Sequence, residues 1–128
     1  MALTHYIAVI DTSTPAATPI ATPILTQISL GDVVINSIDL RIPLGHNGYT
    51  GLQVRLADNV LIPWGQSGGW VTGNDEHVVF EVDEEITVGL VIATYNLGAF
   101  THAHLLRIDY TPISLVDVAP PKITVVSI

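Results

Sequence analysis

Cysteine is absent from the 128 residues. That excludes a disulfide framework and every thiolate-based metal or redox site, so stability has to come from packing. Basic residues are almost as scarce: four Lys and Arg stand against twelve Asp and Glu, a formal charge of −8. Such a chain repels a phosphate backbone and an anionic membrane surface alike, so neither nucleic acid nor membrane is an expected partner. Apolar residues make up 48% of the chain, yet Thr, Asp or Gly interrupts them every few positions. No run approaches the roughly 20 residues that a spanning helix needs. The start, Met-Ala-Leu-Thr-His-Tyr, has neither a positive n-region nor an apolar h-region. No secretory signal is expected, and assembly in a cytoplasm is. Helical periodicity is missing too: apolar residues nowhere recur at i, i+3, i+4, i+7 in a window free of breakers.

What the chain does have is Val, Ile and Thr in short alternating runs, punctuated by ten Gly and eight Pro. These runs predict strands at Leu3 to Ile10, Thr26 to Leu30, Val33 to Ile42, Leu52 to Leu56, Asn59 to Ile62, Trp70 to Thr72, His77 to Val82, Ile86 to Tyr95, His102 to Tyr110 and Ile123 to Ile128. The expected fold is all-β, an antiparallel β-sandwich or jelly-roll-like barrel. Turns are expected at Ala57-Asp58-Asn59, Gly73-Asn74-Asp75, Asp83-Glu84-Glu85 and Asn96-Leu97-Gly98, which makes a meander of hairpins from Gly31 to Tyr110.

The ends differ from this core. Residues 13–27, STPAATPIATPILTQ, contain a tandem Ala-Thr-Pro-Ile, and each Pro fixes its own φ and pushes the preceding Thr toward extended geometry. Residues 1–27 are therefore expected as an extended arm, 28–112 as the sandwich and 113–128 as a tail strand led by Ala119-Pro120-Pro121. A charged fraction of only 12% fits either apolar surface buried against other subunits, hence a homo-oligomer, or a well-packed domain that is merely hydrophobic. Tyr6, Ile20, Ile24, Val118, Ile123 and Val125 on the two ends are the candidate interface residues there, pairing with a neighbour's sheet edge. The alternative is that both ends fold back onto their own sheets.

The stretch IPLGHNGYTGLQVRL, residues 42–56, spaces Gly45, Gly48 and Gly51 by three. It lacks the Gly-x-Gly-x-x-Gly of a dinucleotide loop and the Lys of a phosphate loop, so it reads as a turn. Residues 62–76, IPWGQSGGWVTGNDE, hold both tryptophans and four glycines. Trp64 and Trp70 either close one end of the sandwich or anchor an interface, where Trp is enriched; Tyr49 would join them in stacking on a sugar. His102 and His104 share one strand face, with His46, His77 or an acidic turn as a third metal ligand if one exists. Ordinary surface or half-buried histidines are the expected reading. No cysteine nucleophile and no calcium loop is present, and the six serines carry no signature of an activated nucleophile, so no catalytic, cofactor or metal residue is assigned and the chain is expected not to be an enzyme.

The segments IDLRIPLGHNGYTGLQV, NVLIPWGQSGGWVTGNDE and AHLLRIDY, within a similarity that covers Asp32 to Tyr110, resemble small all-β virion proteins of tailed bacteriophages that decorate or cement a capsid. The resemblance implies a sandwich without catalytic residues, bound in many copies to the capsid surface. Its implied partners are the major capsid protein and neighbouring copies of itself. A tail or fibre location, a carbohydrate- or receptor-binding module, and a metal-dependent cupin-like enzyme are the alternatives.

Overall fold

The structure is a computed structural model that describes residues 5–57, 59–63 and 69–113. The described residues form eight strands: β1 (Tyr6–Thr14), β2 (Ile24–Ile28), β3 (Val33–Ile42), β4 (Thr50–Leu56), β5 (Asn59–Ile62), β6 (Glu76–Ile86), β7 (Leu90–Asn96) and β8 (His102–Pro112). They form two antiparallel four-stranded sheets, ordered β1-β8-β3-β6 and β2-β7-β4-β5. The all-β sandwich is thus what the alternating runs build.

The connectivity is not a meander. β1 pairs with β8, β2 with β7, β3 with β6 and β4 with β5, as in one long hairpin rolled until its two halves face each other. The core fills the space between the sheets with Ile35, Ile38, Leu40 and Ile42 of β3, Leu52 and Val54 of β4, Leu90 and Ile92 of β7, and Leu106 and Ile108 of β8. The apolar pattern of β3 slips by one residue between Ile35 and Ile38. A bulge lies between Ile35 and Ser37, and it returns both halves of the strand to the same face.

Several expected boundaries move. Asp83-Glu84-Glu85 is not a turn: all three lie within β6, where Asp83 takes φ 50° beside the register shift. Asp tolerates the left-handed region, and a bulge uses that tolerance as readily as a turn does. Ile86 to Tyr95 is not one strand, because the chain bends at Thr87–Gly89 and changes sheet. Trp70 to Thr72 reduces to a single bridge between Val71 and Leu52. Gly51 lies inside β4, where a Cβ would fall 2.1 Å from the Tyr95 ring.

The N-terminal segment is no free arm, and it is extended only where it forms strands: between them it turns at residues 16–17 and 20–22, with Ala17 at φ 58° and the Thr22 amide donating to the Pro19 carbonyl. β1 is hydrogen-bonded to β8 from Tyr6↔Tyr110 to Thr14↔His102, and β2 to β7 from Ile24↔Thr94 to Ile28↔Leu90. Both are edge strands, which is where Pro-rich flanks and a one-sided ladder are tolerated. The sandwich therefore begins well before residue 28. Trp64 and the tail residues Val118, Ile123 and Val125 lie outside the described residues.

Candidate functional site: the loop-bearing end

At one end of the sandwich the inward-facing residues change from aliphatic to polar. Thr12 and Thr14 of β1, Thr50 of β4, Thr94 and Asn96 of β7 and His104 of β8 are all buried there. Thr14 Oγ1 donates to Thr94 Oγ1 at 2.7 Å and the Asn96 amide donates to the Thr14 carbonyl at 3.0 Å, which staples the two sheets together.

The β3–β4 connection plugs this end. Gly45, Asn47 and Gly48 take positive φ, which turns the chain tightly and drives His46 inward until it is 1% exposed. The turn predicted for this glycine stretch is thus also the element that seats a histidine. His46 packs against the rings of His102 and His104 at centroid distances of 4.5 and 4.7 Å. The strand period does place His102 and His104 on one face, and the fold brings His46 to them; His77 lies elsewhere, bonded to Asp39 on the outer face of the other edge strand.

Thr50 Oγ1 bridges two of these rings, 2.6 Å from His46 Nδ1 and 3.5 Å from His104 Nε2. A hydroxyl has one proton, so it donates to one ring and accepts from the other. Either way, one of His46 Nε2 and His104 Nδ1 is left with an N–H and the other with a lone pair, and both atoms are buried without a partner. Burial holds His104 down to about 4, aided by the neighbouring His46 and His102. Burial and His102 also lower His46, with the backbone at Ala103 opposing. His46 and His104 are therefore neutral near pH 7.

Neutral imidazoles are the form that binds metals and accepts protons. Here, however, the His46 and His104 rings meet edge to face beside Thr50, the His102 ring lies tilted at 37° to His46, and no group of three His, Asp or Glu among the described residues is arranged to hold a metal ion. Thr50 is itself fully buried, so a substrate does not reach its hydroxyl.

The outside of the same end is apolar. Leu44 and Tyr49 project from the β3–β4 loop, and Leu97 and Phe100 from the β7–β8 loop; Leu44 is 74% and Phe100 75% exposed. Neither loop, 43–49 or 97–101, contains a charged residue. Both are fastened: Asn74 Oδ1 accepts from the Gly45 and Asn47 amides at 2.8 and 3.1 Å, and the Leu97 amide donates to the Tyr49 carbonyl at 2.9 Å. Asn96 accepts from the Gly98 amide and donates to the Phe100 carbonyl. Large apolar groups on pinned loops form a preorganised contact surface, and clusters of that kind mark sites of interaction.

Of the expected interface residues, Tyr6 is exposed on edge strand β1 and stacks on Tyr110, with ring centroids 5.8 Å apart. Ile24 is exposed on edge strand β2, and Ile20 in the connection before it. That connection is bonded to the loop end, Thr18 pairing with Asn96 and the Ala17 amide reaching the Gly98 carbonyl. Trp70 is half-buried on the outer face of the second sheet, not in the core. It meets Tyr95 edge to face at 4.9 Å, and the Arg55 guanidinium lies 5.8 Å from its centre. Leu44, Leu97 and Phe100 were missed by sequence reasoning, although their position in Gly- and Asn-rich turns, rather than in strands, is a signal of exposure.

No protein-family model matches the chain, and comparison with curated proteins finds no match.

Proposed function

We propose that the chain is a non-enzymatic structural protein of a phage particle, which decorates and stabilises the capsid by binding across capsid subunits through its apolar loop end. The observation that carries this reading is the charge-free pair of loops displaying Leu44, Tyr49, Leu97 and Phe100 on a molecule of formal charge −8. Four large apolar groups held out on fixed loops add contact area without chemistry, as adhesion between protomers requires. The rolled-hairpin order β1-β8-β3-β6 over β2-β7-β4-β5 is compatible with a jelly roll, an architecture that recurs in viral capsid domains, lectins and cupins, so the fold supports the reading by analogy only. The resemblance of residues 32–110 to decoration proteins points the same way. Partners are then the major capsid protein and neighbouring copies, and the location is the capsid surface after assembly in a host cytoplasm.

Deleting residues 1–27 does not test the idea, because it removes β1 and β2 from the sheets. Replacing Leu44 and Phe100 by Ser does. Both are surface positions, so the melting temperature should hold, while co-sedimentation with shells of the cognate major capsid protein should fall by tenfold or more. Unchanged co-sedimentation of the folded double variant would sink the reading.

A further inference from the structure

Within residues 43–49 the one buried side chain is that of His46. The loop that displays Leu44 and Tyr49 is therefore anchored inward by a single imidazole. What that imidazole rests on is two more of the same kind, His102 and His104, with centroids 4.5 and 4.7 Å away. His102 is half-buried and stands between the two apolar loops, since a Cβ at Gly45 would lie 3.6 Å from its Cε1 and one at Gly98 3.8 Å from its Nε2.

A proton added to this cluster meets no counter-charge. β1 presents Thr12 and Thr14 to this end, β4 Thr50, and β7 Thr94 and Asn96, while loops 43–49 and 97–101 hold no Asp, Glu, Lys or Arg. Asp75 and Glu76 belong to the segment that clasps the loop from outside, but Asp75 pairs with Arg41 at 3.8 Å, Glu76 lies over Gly73, and neither is hydrogen-bonded to a ring. The other two histidines are bonded elsewhere, His5 to Asp109 and His77 to Asp39. The backbone at Ala103 favours a charged His46, but burial and His102 outweigh it. Two charged rings in contact would repel each other as well.

Opening the loop removes these penalties together. Once His46 swings into water, it and the uncovered His104 take up protons as free imidazoles do. We propose that the three histidines form a pH-sensitive catch: proton uptake expels His46 and frees the β3–β4 loop, so the apolar contact surface is assembled at neutral pH and dismantled in acid. The direction follows from linkage, because the closed loop binds fewer protons than the open one and falling pH therefore favours opening. Each imidazole kept neutral in the closed state makes the opening constant rise by up to about tenfold per pH unit, and two make it rise by up to about a hundredfold. Local opening of this kind draws on the least stable part of a fold, here a loop held by one side chain and a few backbone bonds. The inference concerns regulation of the apolar loop end and rests on the reading of that end as the contact surface.

Amide hydrogen exchange of the isolated full chain, corrected for its intrinsic pH dependence, tests the catch without any capsid, whereas co-sedimentation with shells at pH 7 tests the capsid reading, so the two fail separately. Protection at Gly45, Asn47 and Leu97, whose amides fasten the loops, should fall at least tenfold from pH 6.5 to 5 and stay below that of Leu40 and Leu106 in the core. His46→Gln should halve the logarithmic slope, and His46→Gln with His104→Gln should abolish it. If those variants fail to fold, His102→Gln, at a half-buried position, should still make the slope shallower by removing a neighbour that opposes charge on both rings. Protection indifferent to pH overturns the proposal, as does exchange of the three amides no faster than the core, which would mean opening by global unfolding alone, or a slope untouched by the histidine changes. Shells that hold the wild-type chain equally well at pH 7 and pH 5 overturn it too.

Discussion

Acidification should unfold this protein through His104. The imidazole is fully buried and held to about 4 in the folded chain, against 6.5 when free. Between those values the unfolded chain binds a proton that the folded chain refuses. Stability is therefore complete above about pH 6.5, falls as the pH drops toward 4, and levels off below it. A difference of 2.5 pKa units corresponds to about 3 kcal/mol at 1.36 kcal/mol per unit. With a urea slope of about 2 kcal/mol per M, the unfolding midpoint should drop by about 1.5 M across that window. Other groups titrate in the same range: His46, also lowered, adds to the loss. Asp109, held low by the His5 and Asn36 hydrogen bonds that outweigh its desolvation, loses its contribution only as the pH falls through the carboxylate range. The useful quantity is thus the difference between wild type and His104→Gln, which isolates this imidazole together with its coupling to His46 and His102. Urea titrations at pH 7, 6, 5 and 4, followed by far-UV circular dichroism, should show the gap between the two proteins closing or reversing by about 3 kcal/mol. Parallel pH profiles would mean that His104 takes up its proton freely in the folded state, and the account of a sealed, neutral histidine plug would be wrong.

Two further outcomes follow from the packing. Gly51→Ala places a Cβ 2.1 Å from Tyr95 Cε2, so the ring must leave Trp70; the cost should be about 1–3 kcal/mol, read as a lower melting temperature together with altered Trp and Tyr near-UV signals. An unchanged melting curve would refute that contact. Asn74→Ala removes the acceptor of the Gly45 and Asn47 amides and should cost about 1–2 kcal/mol, with faster hydrogen exchange at those two amides in particular. Exchange rates equal to wild type there would show that the loop does not depend on this clasp.

Much of the sheet structure was legible because β-branched residues alternate wherever one face is buried. Val33 to Ile42 and Asn59 to Ile62 are the strands observed, and even the bulge in β3 is visible as the phase slip between Ile35 and Ile38. The errors have physical reasons. Acidic residues at Asp83–Glu85 carry turn chemistry, but a bulge accepts the same backbone conformation. Thr87-Val88-Gly89 hides a change of sheet behind residues that favour strands. The Thr-Pro segment looks like a free arm because proline rigidity is local information, while its pairing partners on β7 and β8 are tens of residues away. The histidine cluster was half visible. The spacing of His102 and His104 is local, whereas the arrival of His46 depends on which strands end together. Leu44 and Phe100 escaped notice because an apolar side chain is read as interior by default, and only the loop around it says otherwise.

The nine-residue ladder that joins β1 to β8 has a cost in time. Tyr6 is made about a hundred residues before its partner Tyr110, and the rolled order gives most earlier strands a partner still to come. Translation at about 5–20 residues per second leaves the first strand waiting for several seconds. Folding must then be completed late, after synthesis of the last strand, and nascent chains spend that interval with unpaired edges at risk of capture by one another. A slow refolding rate, typical of long-range β topologies, is the corresponding signature for the purified chain.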